Sequence, residues 1–168
     1  MISLSVILAA ASCVKLPVEP SVGLEKENRV VNYTYYNEVN PIVLIALSEA
    51  FQFSGLTVNI FFTARPLVTD GFPVYGFTVS YEFQPEVFSI FLARGLSSED
   101  TRRTIIHELA HLKQFYTKEL VMNDKNTAIY QGREINLRRM HQKGWPFEID
   151  ARAESWRLGY LIRKKMHK

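Results

Sequence analysis

His107, Glu108 and His111 stand in the order His-Glu-x-x-His within the stretch Thr101–Thr117, TRRTIIHELAHLKQFYT. Residues four apart on an α-helix lie one above the other, so both imidazoles can reach one ion, with Glu108 beside them and turned to the same cleft. Zinc accepts neutral imidazole nitrogens, and a catalytic zinc site keeps one position open for water that a nearby carboxylate can deprotonate. The chemistry this predicts is hydrolysis. The competing reading is a pair of core or surface histidines that fall four apart by chance, and the helical pattern around them weighs against it.

A site of this kind needs a helix that holds its register. Ile105, Leu109, Leu112 and Tyr116 form one apolar row, with Ile106 and Ala110 beside it, at the period of a buried helix. Ser97 followed by Asp100 reads as an N-cap with an acidic partner three residues on, and Glu99 and Asp100 suit the positive end of the helix dipole.

Two histidines leave the ligand set short of one. Gly144–Tyr160, GWPFEIDARAESWRLGY, reads as a second helix, with Pro146 in its first turn and Phe147, Ala151, Leu158 and Ile162 at the spacing of a buried stripe. Glu148 lies at its start and could close a His-His-Glu set. Asp150 and Glu154 are rivals, and either could instead orient a ligand imidazole. An acid in a first helical turn can also be no more than a dipole-favourable surface charge.

Composition narrows the alternatives. The chain has 168 residues, 47% hydrophobic and 22% charged, enough for one domain with a proper core. Its single cysteine, Cys13, excludes an internal disulfide framework and a cysteine-based structural zinc site, which leaves histidine and carboxylate as ligands. Residues 1–96 carry 5 basic against 8 acidic side chains, and residues 97–168 carry 15 against 9. Scattered Lys and Arg on helices most often form a solvated face, so no nucleic-acid partner is predicted.

Residues 1–12, MISLSVILAAAS, are apolar, too short to span a bilayer, and end in small residues before Cys13. If they act as a signal, the protein is exported, or anchored to a membrane through a lipidated Cys13; otherwise it is cytoplasmic, and the run is a buried first element. Residues 14–29, with two prolines, a glycine and mixed charge, read as a linker, so the domain is expected over residues 30–168. A short strand follows at Val30–Tyr36, then a core helix from Pro41, capped by Asn40, toward Gly55. Leu56–Ala64, Val74–Phe83 and Glu86–Ala93 read as strands, with turns at Asp70-Gly71-Phe72-Pro73 and Gln84-Pro85. After the metal helix, Asn123–Asn126 reads as a turn and Gln131-Gly132 as the centre of a hairpin. Trp145 and Trp156 read as packing residues.

HELAH at 107–111 followed by PFEIDARAESW at 146–156 resembles the small single-domain gluzincin metallopeptidases of bacterial and phage genomes, whose second motif is a helix of the form Glu-x-Glu/Asp-Ala. The resemblance spans roughly residues 85–165. It implies that Glu148 is the third zinc ligand, with Asp150-Ala151 completing the motif. It also implies an α+β, zincin-like (minigluzincin) fold: a helix, a small mostly antiparallel sheet, the metal helix and the ligand helix. Within it Glu86–Ala93 could be the sheet edge along which an extended peptide adds as a strand, or else a plain internal strand. The metzincin pattern is absent, since Gln114 and Thr117 stand where it needs glycine and histidine. The expected activity is that of a zinc-dependent metallopeptidase acting on a peptide or protein substrate, with His107, His111 and Glu148 holding Zn2+ and Glu108 as general base. Tyr130, His141 or an arginine of residues 133–139 could stabilise the oxyanion. The alternative is a non-catalytic, zinc-stabilised binding or regulatory module with the same fold.

Overall fold

The structure, a computed structural model, describes residues 22–26, 29–34, 44, 50–63, 67–69, 72–139 and 142–166. The N-terminal apolar run, Cys13 and His141 lie outside the described residues.

Among the described residues, seven strands precede the helix that carries the histidines: β1 (Val22–Lys26), β2 (Arg29–Thr34), β3 (Leu56–Thr63), β4 (Leu67–Thr69), β5 (Phe72–Val74), β6 (Gly76–Tyr81) and β7 (Gln84–Ala93). Helix α1 (Ser98–Tyr116) follows, then β8 (Leu120–Met122), β9 (Thr127–Tyr130), β10 (Arg133–Asn136) and helix α2 (Pro146–Met166), an α+β arrangement. Leu44, Ala50 and Phe51 are helical as well, within the stretch expected to form a helix after Pro41. That stretch stops at Phe51, before Gly55, because Gln52 turns into the left-handed region at φ 56°.

The main sheet has the order β1-β2-β3-β7-β6. Its outer pairs are antiparallel and its two central pairs, β2/β3 and β3/β7, are parallel. The sheet is therefore mixed, whereas a mostly antiparallel one was expected. Short turns can join only antiparallel neighbours, and the long connections from β2 to β3 and from β3 to β7 allow the parallel central pairs. The mostly antiparallel expectation does hold in the two small sheets, β10-β9-β8 and β4-β5.

The sheet corrects one expectation and decides another. Val22–Lys26 lies in the stretch read as a linker but pairs along its whole length with β2, its proline- and charge-rich surroundings having hidden a five-residue strand. Residues 86–93, read as either a sheet edge or a plain internal strand, lie in the interior strand β7 between β3 and β6; β6 is the edge on that side, because the hairpin after Tyr81 pairs it with the outer side of β7.

The main core joins the sheet to both helices. Val58 and Ile60 of β3, Phe88, Ile90 and Leu92 of β7, Ile105, Ile106, Leu109 and Leu112 of α1, and Ala151, Leu158 and Ile162 of α2 are all buried in one cluster. The stripe expected on α2 is thus buried in full, and removing it from water is the main force that fixes α2 against α1. A second, smaller core forms under the β8–β10 sheet from Leu120, Ala128, Tyr130, Leu137 and Phe147. Phe147 belongs to this second core while Ala151 belongs to the first, so the initial turn of α2 is held at the junction of the two. The hairpin that builds the small sheet turns through Gln131 (φ 50°) and Gly132 (φ 76°), two successive left-handed residues as a tight two-residue hairpin loop requires.

Candidate metal centre

Helix α1 begins as expected: the Ser97 hydroxyl accepts from the Asp100 amide at 3.1 Å and donates to the Asp100 carboxylate at 2.6 Å. From that start, 100° per residue carries His107 and His111 to one face and places Glu108 about 60° beyond His111. Leu109 and Leu112 point into the core, and this packing sets the rotation of the helix about its axis.

The first turn of α2 then meets that face. The Nε2 atoms of His107 and His111 lie 3.2 Å apart. Glu148 straddles them, with Oε1 3.3 Å from His111 Nε2 and Oε2 3.5 Å from His107 Nε2. These three residues form a group able to hold a metal ion. Zinc bonds of about 2.0–2.1 Å at tetrahedral angles span ligand pairs by about 3.3–3.4 Å, and the three separations here bracket that value. The donor set fits zinc, and the separations alone do not choose it over another divalent ion.

The charges match the geometry. Burial favours the protonated form of Glu148, but hydrogen bonds and charge from both imidazoles outweigh it and hold the carboxyl well below its usual range. Burial likewise works against a charged His111, and the Glu148 and Glu108 carboxylates outweigh it and raise the imidazole above its ordinary value.

Residues that sequence reasoning passed over hold the group in place. Gln114, one turn beyond His111 and 5% exposed, was noted only as the wrong residue for a metzincin. Its amide NH2 donates to the Phe147 carbonyl at 2.9 Å, which turns its oxygen toward His111 Nδ1, also at 2.9 Å. The Nδ1–H therefore donates to Gln114, and the lone pair of the neutral ring is left on Nε2, facing the group. One side chain thereby ties the metal helix to the residue before Glu148. Thr78 on edge strand β6 is the second such residue: its hydroxyl lies 2.9 Å from both the Glu108 carbonyl and Glu108 Oε2. Glu108 is 3% exposed, and burial pushes its carboxyl above the usual range while the two imidazoles and Thr78 pull it back. Gly76, also on β6, lets the strand approach, since a Cβ there would meet Thr104 Cγ2 at 2.7 Å, the Phe91 carbonyl at 3.0 Å and Glu108 Cγ at 3.2 Å. The signal that could have found Gln114 was its i+3 offset from His111; Thr78 and Gly76 carried none.

The rival acids are engaged elsewhere. Asp150 accepts from the Tyr130 hydroxyl at 2.6 Å, and Glu154 pairs with Arg157 at 2.7 Å and with Lys113 at 3.8 Å. Burial, then the Asp150 carboxylate, raises the Tyr130 phenol well above its usual value, so this expected oxyanion donor is committed to Asp150. Arg138, another, bonds Asn126 at 2.5 Å. Trp145 packs against Phe147 as expected, with ring centroids 5.3 Å apart. Trp156 does not pack: it is 77% exposed.

Comparison of the chain with protein-family models, with curated proteins and with solved structures finds no match.

Proposed function

We propose that this protein is a zinc-dependent metallopeptidase of gluzincin type. The observation that carries the reading is the buried Glu108 carboxylate, held by Thr78 beside the His107–His111–Glu148 group. A metal site that served stability alone has no use for a desolvated acid at its rim, because burying one costs free energy.

His107, His111 and Glu148 would hold the ion. Zinc supplies, when bound, a Lewis acid that polarises a carbonyl and makes water acidic near neutral pH. The rest falls to the chain. Glu108, its affinity for protons raised by burial, accepts the proton of the attacking water and returns it to the leaving amine. The Thr78 hydroxyl holds the carboxylate in one rotamer by donating to Oε2, and Gly76 keeps β6 close enough for that bond. Gln114 holds His111 in the tautomer that leaves Nε2 free. Edge strand β6 runs past Glu108 with one side unpaired among the described residues, and an extended peptide could add there through its backbone groups. The resemblance of HELAH and the α2 motif to gluzincins points the same way.

Substitution Glu108→Gln tests the reading. Zinc content and thermal stability should stay near wild type while hydrolysis of unfolded protein and peptide substrates disappears. If the zinc-loaded wild type hydrolyses no such substrate, the protein is instead a zinc-stabilised binding module.

A further inference from the structure

Beside the metal group, a cleft of about 240 Å³ runs between the exposed faces of α1 and α2. Its walls carry Arg102, Arg103, Arg152, Arg163 and Trp156, and it reaches the metal group at His107. The one acid lining it, Glu99, already pairs with two of the arginines, Arg102 and Arg103, the latter at 2.9 Å. Arg152 lies 3.8 Å from Glu148, whose carboxylate is turned to the two imidazoles, and Arg163 makes no ion pair among the described residues. Four guanidinium groups against the two carboxylates of Glu99 and Glu148 leave two positive charges in excess, and Glu148 is already shared with the imidazoles. A cleft lined by one sign of charge concentrates ligands of the opposite sign, and a basic wall that opens on the metal group favours an anionic group on what binds there. Trp156, 77% exposed in the same wall, is a large apolar surface with no packing role in the fold.

Building on the peptidase reading, we infer that this cleft selects substrates by a carboxylate: an Asp or Glu side chain close to the scissile bond, or a free C-terminal carboxylate in that position. Arginine presents a planar fork of donors that matches a carboxylate in two parallel hydrogen bonds, and Trp156 covers the aliphatic part of the residue that carries it. Arg163 and Arg103, neither of which pairs with Glu148, are specificity residues and take no part in the chemistry.

The test has two arms. In the first, zinc-loaded wild type and an Arg103→Glu/Arg163→Glu variant digest a diverse peptide mixture, half with amidated and half with free C-termini, and mass spectrometry reads the residues flanking each cut. An acid within two residues of the cut, on one side, should be enriched at least about tenfold over Asn or Gln in the wild type. The enrichment should vanish or reverse toward Lys and Arg in the variant. Enrichment confined to the free-acid half would identify the C-terminal carboxylate as the source, and enrichment in both halves the side chain. In the second arm, fluorescence anisotropy compares labelled peptides that differ only by Glu against Gln, on zinc-loaded Glu108→Gln protein. Cleavage without acidic preference, or preference unchanged in the variant, overturns the inference and leaves the peptidase reading standing. Absence of cleavage with at least about tenfold tighter binding of the Glu peptide supports the inference and removes the peptidase reading. Neither cleavage nor charge-selective binding overturns both, and an oligonucleotide that displaces the Glu peptide at equal concentration overturns the carboxylate assignment. If the double variant does not fold, Arg103→Gln/Arg163→Gln should lose the preference without reversing it.

Discussion

Gln114→Met removes both hydrogen bonds of the residue that joins the metal helix to the ligand helix, while keeping its length and filling its space. Gln114 is 5% exposed, and its two bonds, to His111 Nδ1 and to the Phe147 carbonyl, are each 2.9 Å long. The substitution leaves the ring N–H buried without a partner, at roughly 1–3 kcal/mol, while the Phe147 carbonyl, in the first turn of α2, keeps its place in the helical ladder and loses only its second bond. We therefore expect the metal-free protein to lose roughly 2 kcal/mol of stability, which for a domain of this size lowers Tm by about 4–8 °C. Zinc affinity should fall further than stability alone explains. The His111 ring loses the partner that holds its lone pair on Nε2, and loss of such an orienting partner typically weakens a site by about 10–100-fold, or roughly 1.4–2.8 kcal/mol. Competition with a chromophoric chelator measures the affinity, and thermal unfolding with and without zinc measures the stability. Gln114→Glu provides the control: its carboxylate still accepts from Nδ1 but repels the Phe147 carbonyl, so it should separate the effect on zinc from the effect on the fold. If Gln114→Met binds zinc as tightly as wild type, the role assigned to Gln114 is wrong, whatever its effect on Tm.

Glu148→Ala removes one of the three side chains able to hold the ion and should weaken zinc binding far more than Asp150→Ala, which removes only the acceptor of the Tyr130 hydroxyl and should lower stability by about 1–2 kcal/mol; the reverse ranking in a chelator competition would move the proposed ligand assignment. Gly76→Ala places a Cβ 3.0 Å from the Phe91 carbonyl, which cannot step aside, so a cost of about 1–3 kcal/mol in denaturant unfolding is expected, together with a drop in turnover as Glu108 shifts. The stabilisation conferred by zinc should grow with pH, because His111, raised above its ordinary 6.5 in the metal-free protein, must give up a proton to bind the ion. A larger zinc-induced rise in Tm at pH 5.5 than at 7.5 would contradict that sign.

Some of this protein was legible because the interactions that decide it are local. His107 and His111 share a face through the helical period alone, Ser97 caps the helix through a bond to a residue three positions away, and Gln131-Gly132 turns through a conformation its own residues favour. The buried stripe of α2 was legible for the same reason, although the surface it meets was not. Other features depended on which distant segments meet. The alternation within β7 suits an edge strand and an interior strand equally, and only the return of β6 along its outer side makes it interior. Val22–Lys26 gained its identity as a strand from its partner β2. Glu148, Asp150 and Glu154 are three acids on one helix whose roles follow from how the two cores seat Phe147 and Ala151, which aims the first at the imidazoles and leaves Asp150 to Tyr130. Gln114, Thr78 and Arg163 are ordinary polar residues in the sequence, and Trp156 an ordinary apolar one. Helix geometry, written into the order of residues, determined that two histidines and a glutamate would face one way; long-range burial of apolar surface decided what they would face, because such burial has no preferred direction along the chain and is resolved only when the whole core closes.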